Sequence, residues 1–477
     1  MKTEVSKITN LIIKLMRVMI NSSSVIRKNT IRILDKKMKQ ELLEKNPDNL
    51  PFRSREDIYY SLRSLLYSFN RLVDRGKVSD SVKKVVIDIF LKDVLLYEKQ
   101  RQEEYVDHFG RIPPAFLTIS PTKQCNLHCK GCYAASSAKE SIHLDYDVFS
   151  RIMKEKTESW GSHFTVISGG EPLLWKSKGK NIFDIFSENN DNYFLMFTNG
   201  TLINEEIAKK LGELGNVTPT ISIEGMEKET DERRGKGVHK KIIKAFELLL
   251  ENGVPYGISA TATRNNADII LSDEFIDFYF KKYFCVYYWI FQYMPIGRRY
   301  TLDLMVTPEQ RLKMYQREQY LLRKEGLFIA DFWNGGPRSH GCISAGRAGG
   351  YLYIDWNGNI APCVFFPYYQ DNIYDVYKNG RTLDDALNSE LFCQIRNWQD
   401  EYSLRKSPEE LGNEIVPCPI RDHYEFAHKT IKSLKAKPMD EEAKKAMEDN
   451  NYYKDLVQYG KDVDRLTKDI WEKEYLN

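Results

Sequence analysis

Short apolar segments alternate with longer helical segments through the middle of this sequence, and this alternation limits the possible folds more than any other feature. The stretches between the apolar runs, such as residues 203–214 and 238–252, have the spacing of amphipathic helices. Strands that alternate with helices form parallel sheets with right-handed crossovers. Six repeats are too few for a closed eight-stranded barrel, so the sequence predicts an α/β fold with a partial (β/α)6 TIM-like barrel. The six apolar runs are residues 115–120, 163–168, 193–198, 219–224, 255–263 and 286–294.

Changes in composition divide the chain into four predicted parts. The first part has helical periodicity and few glycines, and the paired prolines Pro113 and Pro114 mark its end. Glycine and cysteine become frequent after the barrel, where a small cysteine-containing α+β extension is predicted, and the sequence ends in a charged helical segment that is either solvated or docked. The predicted parts are a helical N-terminal extension (1–111), the barrel core (112–325), the cysteine-containing extension (326–429) and a charged helical tail (430–477).

Composition excludes several classes of function. The chain of 477 residues has 70 basic and 67 acidic side chains and a net charge of +3, so it lacks the strong positive field of a nucleic-acid-binding protein. Its eight cysteines have no regular spacing, which argues against a secreted disulfide scaffold. A reducing, cytoplasmic setting and no nucleic-acid partner are expected.

The N-terminal segment of residues 1–24 is apolar except for a stripe of polar positions. Lys14 and Arg17 interrupt the apolar run, so the segment is too short to span a membrane and lacks the pattern of an export signal. Two interpretations stay open. The helix lies on an anionic lipid surface as a peripheral membrane contact, or it docks on the body of the protein itself.

Three cysteines lie close together directly after the first predicted strand. Cys125, Cys129 and Cys132 have the spacing C-x3-C-x2-C, which lets one loop direct three sulfurs toward one small centre. Structural zinc sites use four protein ligands, so a trio fits zinc poorly. A [4Fe-4S] cluster fits better, because three thiolates bind three irons and leave the fourth iron open to a second molecule.

At these cysteines the chain resembles the radical S-adenosylmethionine (radical SAM) superfamily. The resemblance implies that the open iron binds S-adenosylmethionine, that one electron cleaves the sulfonium bond, and that the resulting 5′-deoxyadenosyl radical abstracts hydrogen from a substrate. The residue before the third cysteine is commonly aromatic in the family. This chain has Gly131 there, and Tyr133 after the cysteine is a candidate for the adenine contact.

A second motif follows the second predicted strand. Gly169 and Gly170 allow the backbone to approach a ligand closely, and Glu171 supplies an anionic acceptor. The resemblance implies that this Gly-Gly-Glu segment binds the amino group of S-adenosylmethionine.

Further candidate residues follow the later strands. Ser222 and Glu224 are two positions apart, so both side chains leave the same face of the fourth strand. The resemblance implies that these two residues contact the ribose. Asn199, after the third strand, is a further candidate for binding the cosubstrate. Arg234, or its neighbour Arg233, could bind the carboxylate of S-adenosylmethionine. The resemblance also implies an adenine pocket around Met294 and the bend that follows.

A second group of cysteines lies in the C-terminal extension. Cys342 and Cys363 flank a hairpin, because Asn357-Gly358 between two alternating runs is typical of a two-residue turn with positive φ angles. Cys418 lies between prolines in a segment that could cross the base of this hairpin. Cys285 begins an apolar strand and is more typical of a buried core thiol.

This second group resembles the cysteine-rich extension called SPASM, or its shorter twitch form. The resemblance implies one auxiliary [4Fe-4S] cluster bound by Cys342, Cys363 and Cys418. Cys393 is either its fourth ligand or part of the core, and in the second case the cluster has an open iron that substrate could occupy.

The sequence therefore predicts a radical SAM oxidoreductase that abstracts hydrogen from a substrate, with a peptide or protein as the first choice. The same chemistry on a membrane lipid or another small molecule is an alternative, as is a non-catalytic zinc or iron-sulfur protein. An electron donor such as flavodoxin or ferredoxin is an expected partner.

Overall fold

The protein is described by a computed structural model over residues 15, 22–45, 50–89 and 98–476. The strands in these ranges are β1 (Phe116–Ile119), β2 (Phe164–Ile167), β3 (Lys176–Ser177), β4 (Lys180–Asn181), β5 (Tyr193–Thr198), β6 (Val217–Ile223), β7 (Gly257–Ala262), β8 (Tyr287–Gln292), β9 (Phe328–Asp331), β10 (Tyr351–Ile354), β11 (Asn359–Ala361), β12 (Tyr368–Tyr369), β13 (Asp371–Asn372) and β14 (Lys437–Pro438). The α-helices are α1 (Ser24–Lys39), α2 (Phe52–Asp74), α3 (Asp80–Val85), α4 (Glu98–Phe109), α5 (Tyr146–Trp160), α6 (Ile182–Glu188), α7 (Glu205–Leu214), α8 (Glu227–Arg234), α9 (Val238–Glu251), α10 (Asp273–Ile276), α11 (Pro308–Arg323), α12 (Gly336–Ser339), α13 (Ile373–Lys378), α14 (Leu383–Ala386), α15 (Glu390–Gln399), α16 (Tyr424–Leu434), α17 (Glu441–Glu448) and α18 (Asn450–Ile470).

The core is a ten-stranded open sheet in the order β13-β11-β10-β1-β2-β5-β6-β7-β8-β9. Neighbouring strands from β10 through β1 to β9 are parallel, and β11 and β13 add antiparallel partners at one edge. The predicted α/β class with a partial barrel is confirmed. The six predicted apolar runs correspond to β1, β2, β5, β6, β7 and β8.

The sheet continues beyond the six predicted strands at both sides. β9 follows residue 325 and pairs in parallel with β8, while β10 pairs in parallel with β1. The cysteine-containing extension therefore shares its sheet with the barrel across the predicted boundary at residue 325. This continuity could not be seen in the sequence, because strand partners so far apart in the chain leave no local pattern.

Local signals explain why the helices begin where they do. The Asn204 side chain accepts a hydrogen bond from the Ile207 amide and caps α7. Thr307 and Gln310 form a reciprocal capping box at the start of α11, with Pro308 in its first turn. Strands β5 and β6 are buried along nearly their whole length, as expected for parallel strands covered by helices on one side and by the barrel interior on the other.

The N-terminal helices close the end of the barrel opposite to the carboxyl ends of its strands. Leu72 of α2 and Val82 of α3 pack with Tyr193 and Leu195 of β5 and with Tyr287 of β8 in one apolar cluster. α2 also contacts β9 and α11. The helical N-terminal region is therefore an integral part of the barrel.

The predicted interfacial helix lies mostly outside the described residues. Only residues 15 and 22–24 of the segment 1–24 are described, so the proposed membrane contact of this segment stays a prediction. Across the described part of the chain, no helix combines the length and the apolar composition needed to cross a membrane.

The hairpin at Asn357-Gly358 is present, but its turn differs from the prediction. β10 and β11 are antiparallel, and the Gly358 amide donates to the Asp355 carbonyl over 2.9 Å. Gly358 has a φ of +81°, whereas Asn357 is not among the residues with positive φ. The two-residue turn is replaced by a longer one because the Asp355 carboxylate accepts bonds from the Asn357 and Asn359 amides, at 2.9 and 2.8 Å.

The C-terminal helices pack on the barrel rather than remaining solvated. α18 contacts α11, and its residues Leu456 and Val463 are buried. The hydroxyl of Tyr475 donates to Asp57 of α2 over 2.6 Å, which ties the C-terminal region to the N-terminal region.

Candidate functional site

One large cavity lies at the carboxyl ends of the parallel strands, where active sites of such barrels form. This cavity, the first of two, has a volume of about 350 Å³, and Cys125, Cys129 and Cys132 line one side of it. The loop that carries them follows β1. Residues at the ends of β2, β5, β7 and β8 also line the cavity, so the carboxyl ends of these strands and the three thiols share one site.

Burial governs the chemistry of these thiols. It raises the pKa of Cys125 to about 12 and also raises the pKa of Cys129, and the neighbouring thiols act in the same direction. The side-chain amide of Asn199 donates through Nδ2 to the Cys125 sulfur over 3.7 Å, and Arg234 Nη1 lies 4.0 Å from the Cys129 sulfur. Thiolates need a positive partner in such a site, and a bound metal cluster supplies it.

The donor set fits a cluster of several irons. Three sulfurs of one loop line the same cavity, and three thiolates are the ligands that such a cluster would take from this loop. The Ser136 hydroxyl, which also lines the first cavity, is buried without a hydrogen-bond partner among the described residues. It is available to a bound group.

The glycines after β2 approach the cysteine loop closely, and their expected contact with a ligand stays a prediction. The Gly170 amide donates to the Thr122 carbonyl, and the Glu171 amide donates to the Gln124 carbonyl, both over 2.8 Å. A Cβ atom on Gly170 would lie 2.1 Å from the Gln124 oxygen, a distance that no side chain tolerates. Gly169 and Gly170 do line the first cavity. Gly170 therefore fixes the backbone that leads into Cys125.

Glu171 does not line the first cavity. Its carboxylate accepts bonds from the Thr198 hydroxyl at 2.7 Å and from the Asn199 amide at 2.9 Å. Burial raises the pKa of Glu171, and the bonds from Thr198 and Asn199 oppose this shift. The side chain holds the turn after β5 in place, so its expected contact with an amino group finds no support in these hydrogen bonds.

Tyr133 lines the cavity beside the cysteines. Its hydroxyl accepts from the Gly169 amide at 3.1 Å and lies 3.4 Å from the Ser168 hydroxyl. A side chain on Gly131 would collide with the ring of Tyr293, whose Cε2 atom lies 2.7 Å from the Cβ position. Tyr293, which also lines the cavity, occupies the space of a larger residue at position 131.

Ser222 and Glu224 lie at different depths. Ser222 lines the first cavity, while Glu224 is buried beneath it and binds Arg233 and both Nε (2.8 Å) and Nη2 (2.5 Å) of Arg234. Burial alone would lower the pKa of Arg234, but the Glu224 carboxylate raises it. Both arginines reach the cavity. Glu224 thus acts by orienting two cations.

Met294 follows β8 and lines the first cavity as a buried side chain. Of the predicted site residues around S-adenosylmethionine, the structure brings Tyr133, Gly169 and Gly170 to this cavity together with Asn199, Ser222, Arg234 and Met294. Glu171 and Glu224 support it from behind.

A second cavity of about 300 Å³ adjoins the first. Cys342, Cys363 and Cys418 line it, although they come from three separate segments of the sequence. The residues common to the walls of both cavities are Trp289, Phe332, Ile343 and Phe365.

The second cavity has the features expected around an iron-sulfur cluster. Burial raises the pKa of Cys363 far above its usual value and that of Cys418 to about 12, with the neighbouring thiols adding to both shifts. The indole nitrogen of Trp333, a residue of this cavity's wall, is buried without a hydrogen-bond partner among the described residues. Cluster sulfides accept such donors.

Cys393 does not line the second cavity. Its sulfur accepts a hydrogen bond from Arg396 Nη2 at 3.3 Å and faces the Asn388 carbonyl at 3.8 Å. Its role as a fourth ligand stays a prediction without a supporting contact. Cys285 is buried in the main core, away from the walls of both cavities.

The sequence reasoning missed a group of buried charges beside Cys418. Asp422 binds Arg311 Nη1 at 2.6 Å and Arg421 Nε at 3.1 Å, and all three side chains have no exposed surface. Arg421 also donates to Gln292 at the end of β8. The adjacent charges Arg421-Asp422 in an otherwise apolar segment were the available signal.

Two family models match the chain. Residues 119–270 match the radical SAM superfamily, and residues 342–409 match SPASM, described as an iron-sulfur cluster-binding domain.

Curated relatives share these regions. The AdoMet-dependent heme synthase of Methanosarcina barkeri is 26% identical over 336 residues, covering 65% of this chain and 89% of the relative. Mycofactocin maturase MftC of Mycolicibacterium smegmatis is 28% identical over 308 residues, covering 61% and 74%. Sporulation killing factor maturation protein SkfB of Bacillus subtilis is 31% identical over 159 residues, covering 32% of this chain and 37% of the relative.

Solved structures share the fold. Streptococcus suis SuiB bound to S-adenosylmethionine has a TM-score of 0.50 and 18% identity, covering 72% of this chain and 83% of that chain. SuiB bound to the precursor peptide SuiA has a TM-score of 0.51 with the same identity and coverage.

Proposed function

Because the chain belongs to the radical SAM superfamily and has a SPASM domain, we propose that it abstracts a hydrogen atom from a peptide or protein by means of a 5′-deoxyadenosyl radical. The protein is a radical SAM enzyme, and its domains indicate [4Fe-4S] clusters and S-adenosylmethionine as cosubstrate. One observation carries the proposal. The three thiols of a single loop and the polar residues at the ends of the strands line the same cavity.

We assign the catalytic cluster to Cys125, Cys129 and Cys132. When bound, this cluster supplies the electron that cleaves the sulfonium bond. The loop offers three thiols, so one iron of a bound cluster would have no protein ligand and would be open to the amino and carboxylate groups of S-adenosylmethionine. Asn199, which donates to the Cys125 sulfur, would stabilise the thiolate form.

The protein's own residues orient the cosubstrate. Glu224 holds Arg233 and Arg234 at the cavity wall, where Arg234 is the better placed cation for the carboxylate because it lies beside Cys129. Ser222 offers a hydroxyl to the ribose from the same wall. Tyr293 and Met294 line the side of the cavity next to the cysteine loop and would contact the adenine.

We assign the auxiliary cluster to Cys342, Cys363 and Cys418. Three thiols again leave one position free, which substrate could occupy, and the cluster could instead accept an electron from the product radical. A flavodoxin or ferredoxin is the expected electron donor for the catalytic cluster.

The substrate assignment to a peptide rests on the relatives. SuiB binds a precursor peptide, and two of the similar curated proteins are a maturase and a maturation protein. A small molecule is the second candidate, since the match to a heme synthase covers 89% of that relative.

Reconstitution under anaerobic conditions tests the proposal. The protein is loaded with iron and sulfide, reduced with dithionite in the presence of S-adenosylmethionine, and assayed for 5′-deoxyadenosine. We expect product from the wild type and from Cys285→Ala, a cysteine outside both cavities, and none from Cys125→Ala. Equal amounts from wild type and Cys125→Ala would end the enzyme hypothesis and favour a non-catalytic metal protein.

A further inference from the structure

The first cavity has two walls of different composition. The wall beside the cysteines carries the polar groups assigned above to the cosubstrate. The opposite wall is built from inward-facing residues of four strands, namely Phe116 of β1, Phe164 of β2, Leu195 of β5 and Trp289 of β8. All four side chains line the cavity, so these positions belong to the strand faces that are directed toward the barrel interior. The part of the cavity farthest from the cosubstrate residues is therefore apolar.

No free charge of a described residue reaches this apolar wall. Arg233 and Arg234 are the described residues with cationic or carboxylate side chains in the lining of the first cavity. Both bind the single carboxylate of Glu224, and the positive charge that remains is on the side assigned to the carboxylate of S-adenosylmethionine. A charged substrate group placed against this wall would lose its hydration without gaining a counter-charge.

The wall between the two cavities has the same character. Trp289, Phe332, Ile343 and Phe365 are apolar, and any group held between the two sets of cysteines must touch them. Aromatic contacts join this wall, with ring centroids of Phe332 and Phe365 5.6 Å apart. A bulky apolar group would replace water against these rings, which is favourable.

Two charged side chains line the second cavity, Asp331 and Arg338, and both form hydrogen bonds within the protein. Asp331 accepts bonds from the amides of Trp333 and Asn334, at 2.7 and 2.9 Å, and from Gln292 at 2.8 Å. Arg338 donates to the Ile329 carbonyl at 2.7 Å and to the Ser61 hydroxyl at 3.4 Å. Both side chains have hydrogen-bond partners within the protein, and neither belongs to the wall that the two cavities share.

We infer that the reacting residue of the substrate has a large apolar side chain, such as leucine, isoleucine or phenylalanine, which inserts between the two cysteine sets. This inference rests on the proposed function and names its substrate class. The hydrogen atom leaves a carbon of that side chain with one electron and joins the 5′ carbon. 5′-Deoxyadenosine forms, and the unpaired electron stays on the substrate carbon.

Deuterium transfer from defined probes tests the inference. The reconstituted protein is incubated with dithionite, S-adenosylmethionine and one N-acetyl amino-acid amide at a time, deuterated in its side chain. The probes are the leucine, phenylalanine, aspartate and lysine derivatives, and mass spectrometry measures deuterium in 5′-deoxyadenosine. We expect at least about tenfold more label from the better apolar probe than from either charged probe.

The outcomes separate the two levels of the proposal. Equal or greater label from aspartate or lysine, or unlabelled 5′-deoxyadenosine with every apolar probe, overturns the inference while leaving the radical chemistry in place. Absence of 5′-deoxyadenosine from the wild type overturns the proposed function itself.

A charge placed on the shared wall provides a second reading. Phe332→Lys should reduce labelling from the apolar probes at least about tenfold, whereas Phe52→Lys, at an exposed phenylalanine of α2, should not. Iron content confirms that each variant holds its clusters. Unchanged labelling by an iron-loaded Phe332→Lys protein would contradict the inference.

Discussion

The two cysteine sites reach similar chemistry by different routes. The first takes its three thiols from one loop of eight residues, Cys125 to Cys132. The second takes Cys342, Cys363 and Cys418 from segments that meet only when the protein is folded. Burial raises the pKa of Cys125 in the first site and of Cys363 in the second. The difference lies in what must be folded before the ligands can meet.

A site within one loop depends on the contacts that shape the loop, whereas a site assembled from distant segments depends on the packing of the whole domain. The first site needs the backbone contact between Gly170 and Gln124. The second needs the buried pair of Arg311 and Asp422, which anchors the segment carrying Cys418 to α11. Substitutions at these contacts should therefore damage one site and spare the other.

Gly170→Ala should have the largest effect on activity. Its Cβ atom would overlap the Gln124 carbonyl, and overpacking of this kind costs about 1–3 kcal/mol or more even where neighbours can move. We expect loss of the catalytic cluster and of 5′-deoxyadenosine formation, with the auxiliary iron retained. Gly179→Ala is the control for backbone strain without overlap, because its φ of +76° strains any side chain but no atom lies within 4 Å of the new Cβ. Full activity of Gly170→Ala would show that the loop tolerates displacement.

Loss of a ligand from the second site should remove about half of the iron, since each cluster holds about four atoms. We expect this for Cys363→Ala, while 5′-deoxyadenosine still forms without substrate. Cys393→Ala should keep its iron, because its sulfur bonds to Arg396 outside the cavity. Iron and sulfide analysis decides the matter, and equal losses in both variants would make Cys393 a ligand.

Removal of the buried ion pair should lower the free energy of unfolding around the second site more than around the first. Arg311→Met leaves the Asp422 carboxylate buried with less compensation, and breaking such a pair costs about 3–5 kcal/mol. Denaturant titration would measure this loss, and auxiliary iron should fall before catalytic iron. An unfolding free energy equal to that of the wild type would contradict the assigned role.

The same pair gives a pH dependence of known sign. Burial opposes ionisation of Asp422, but Arg311 and Arg421 together hold its pKa well below the usual value. Because the folded pKa is depressed, this stability is complete above a pH of about 4 and is lost as the pH falls further. The wild type should lose more stability on acidification than Arg311→Met does. Parallel curves for the two proteins would argue against the linkage.

The smallest effect is expected at Glu224, which orients two arginines without touching the cavity. Glu224→Gln keeps its shape but weakens its hold on Arg233 and Arg234. Affinity for S-adenosylmethionine should fall about tenfold, which corresponds to about 1.4 kcal/mol. Isothermal titration of the reconstituted protein checks this, with Glu229→Gln, on the helix α8 that carries both arginines, as the control. Equal affinities in the two variants would remove Glu224 from the cosubstrate site.

The same contrast explains how far the sequence could be interpreted. The cysteine loop, the strand ends and the six central strands were predicted correctly in position, because each leaves a local pattern. The pairing of β10 with β1, the support of Cys418 by Arg311, and the filling of the space above Gly131 by Tyr293 were not predicted. These features join residues far apart in the sequence. Only tertiary packing determines them.

The expected contact of Glu171 with the amino group of S-adenosylmethionine stays a prediction. Its motif was recognised, but the direction of its carboxylate depends on Thr198 and the Asn199 amide, which no spacing rule supplies. The glycines beside it approach the cysteine loop, a contact between distant residues that no local pattern shows.

Electron paramagnetic resonance of a protein with only the first site intact tests the central proposal most directly. A Cys342→Ala, Cys363→Ala, Cys418→Ala variant is reconstituted, reduced and measured with and without S-adenosylmethionine. A cluster held by Cys125, Cys129 and Cys132 with one open iron should give a signal that changes when S-adenosylmethionine binds. A reduced cluster whose signal is indifferent to S-adenosylmethionine would contradict the open coordination site.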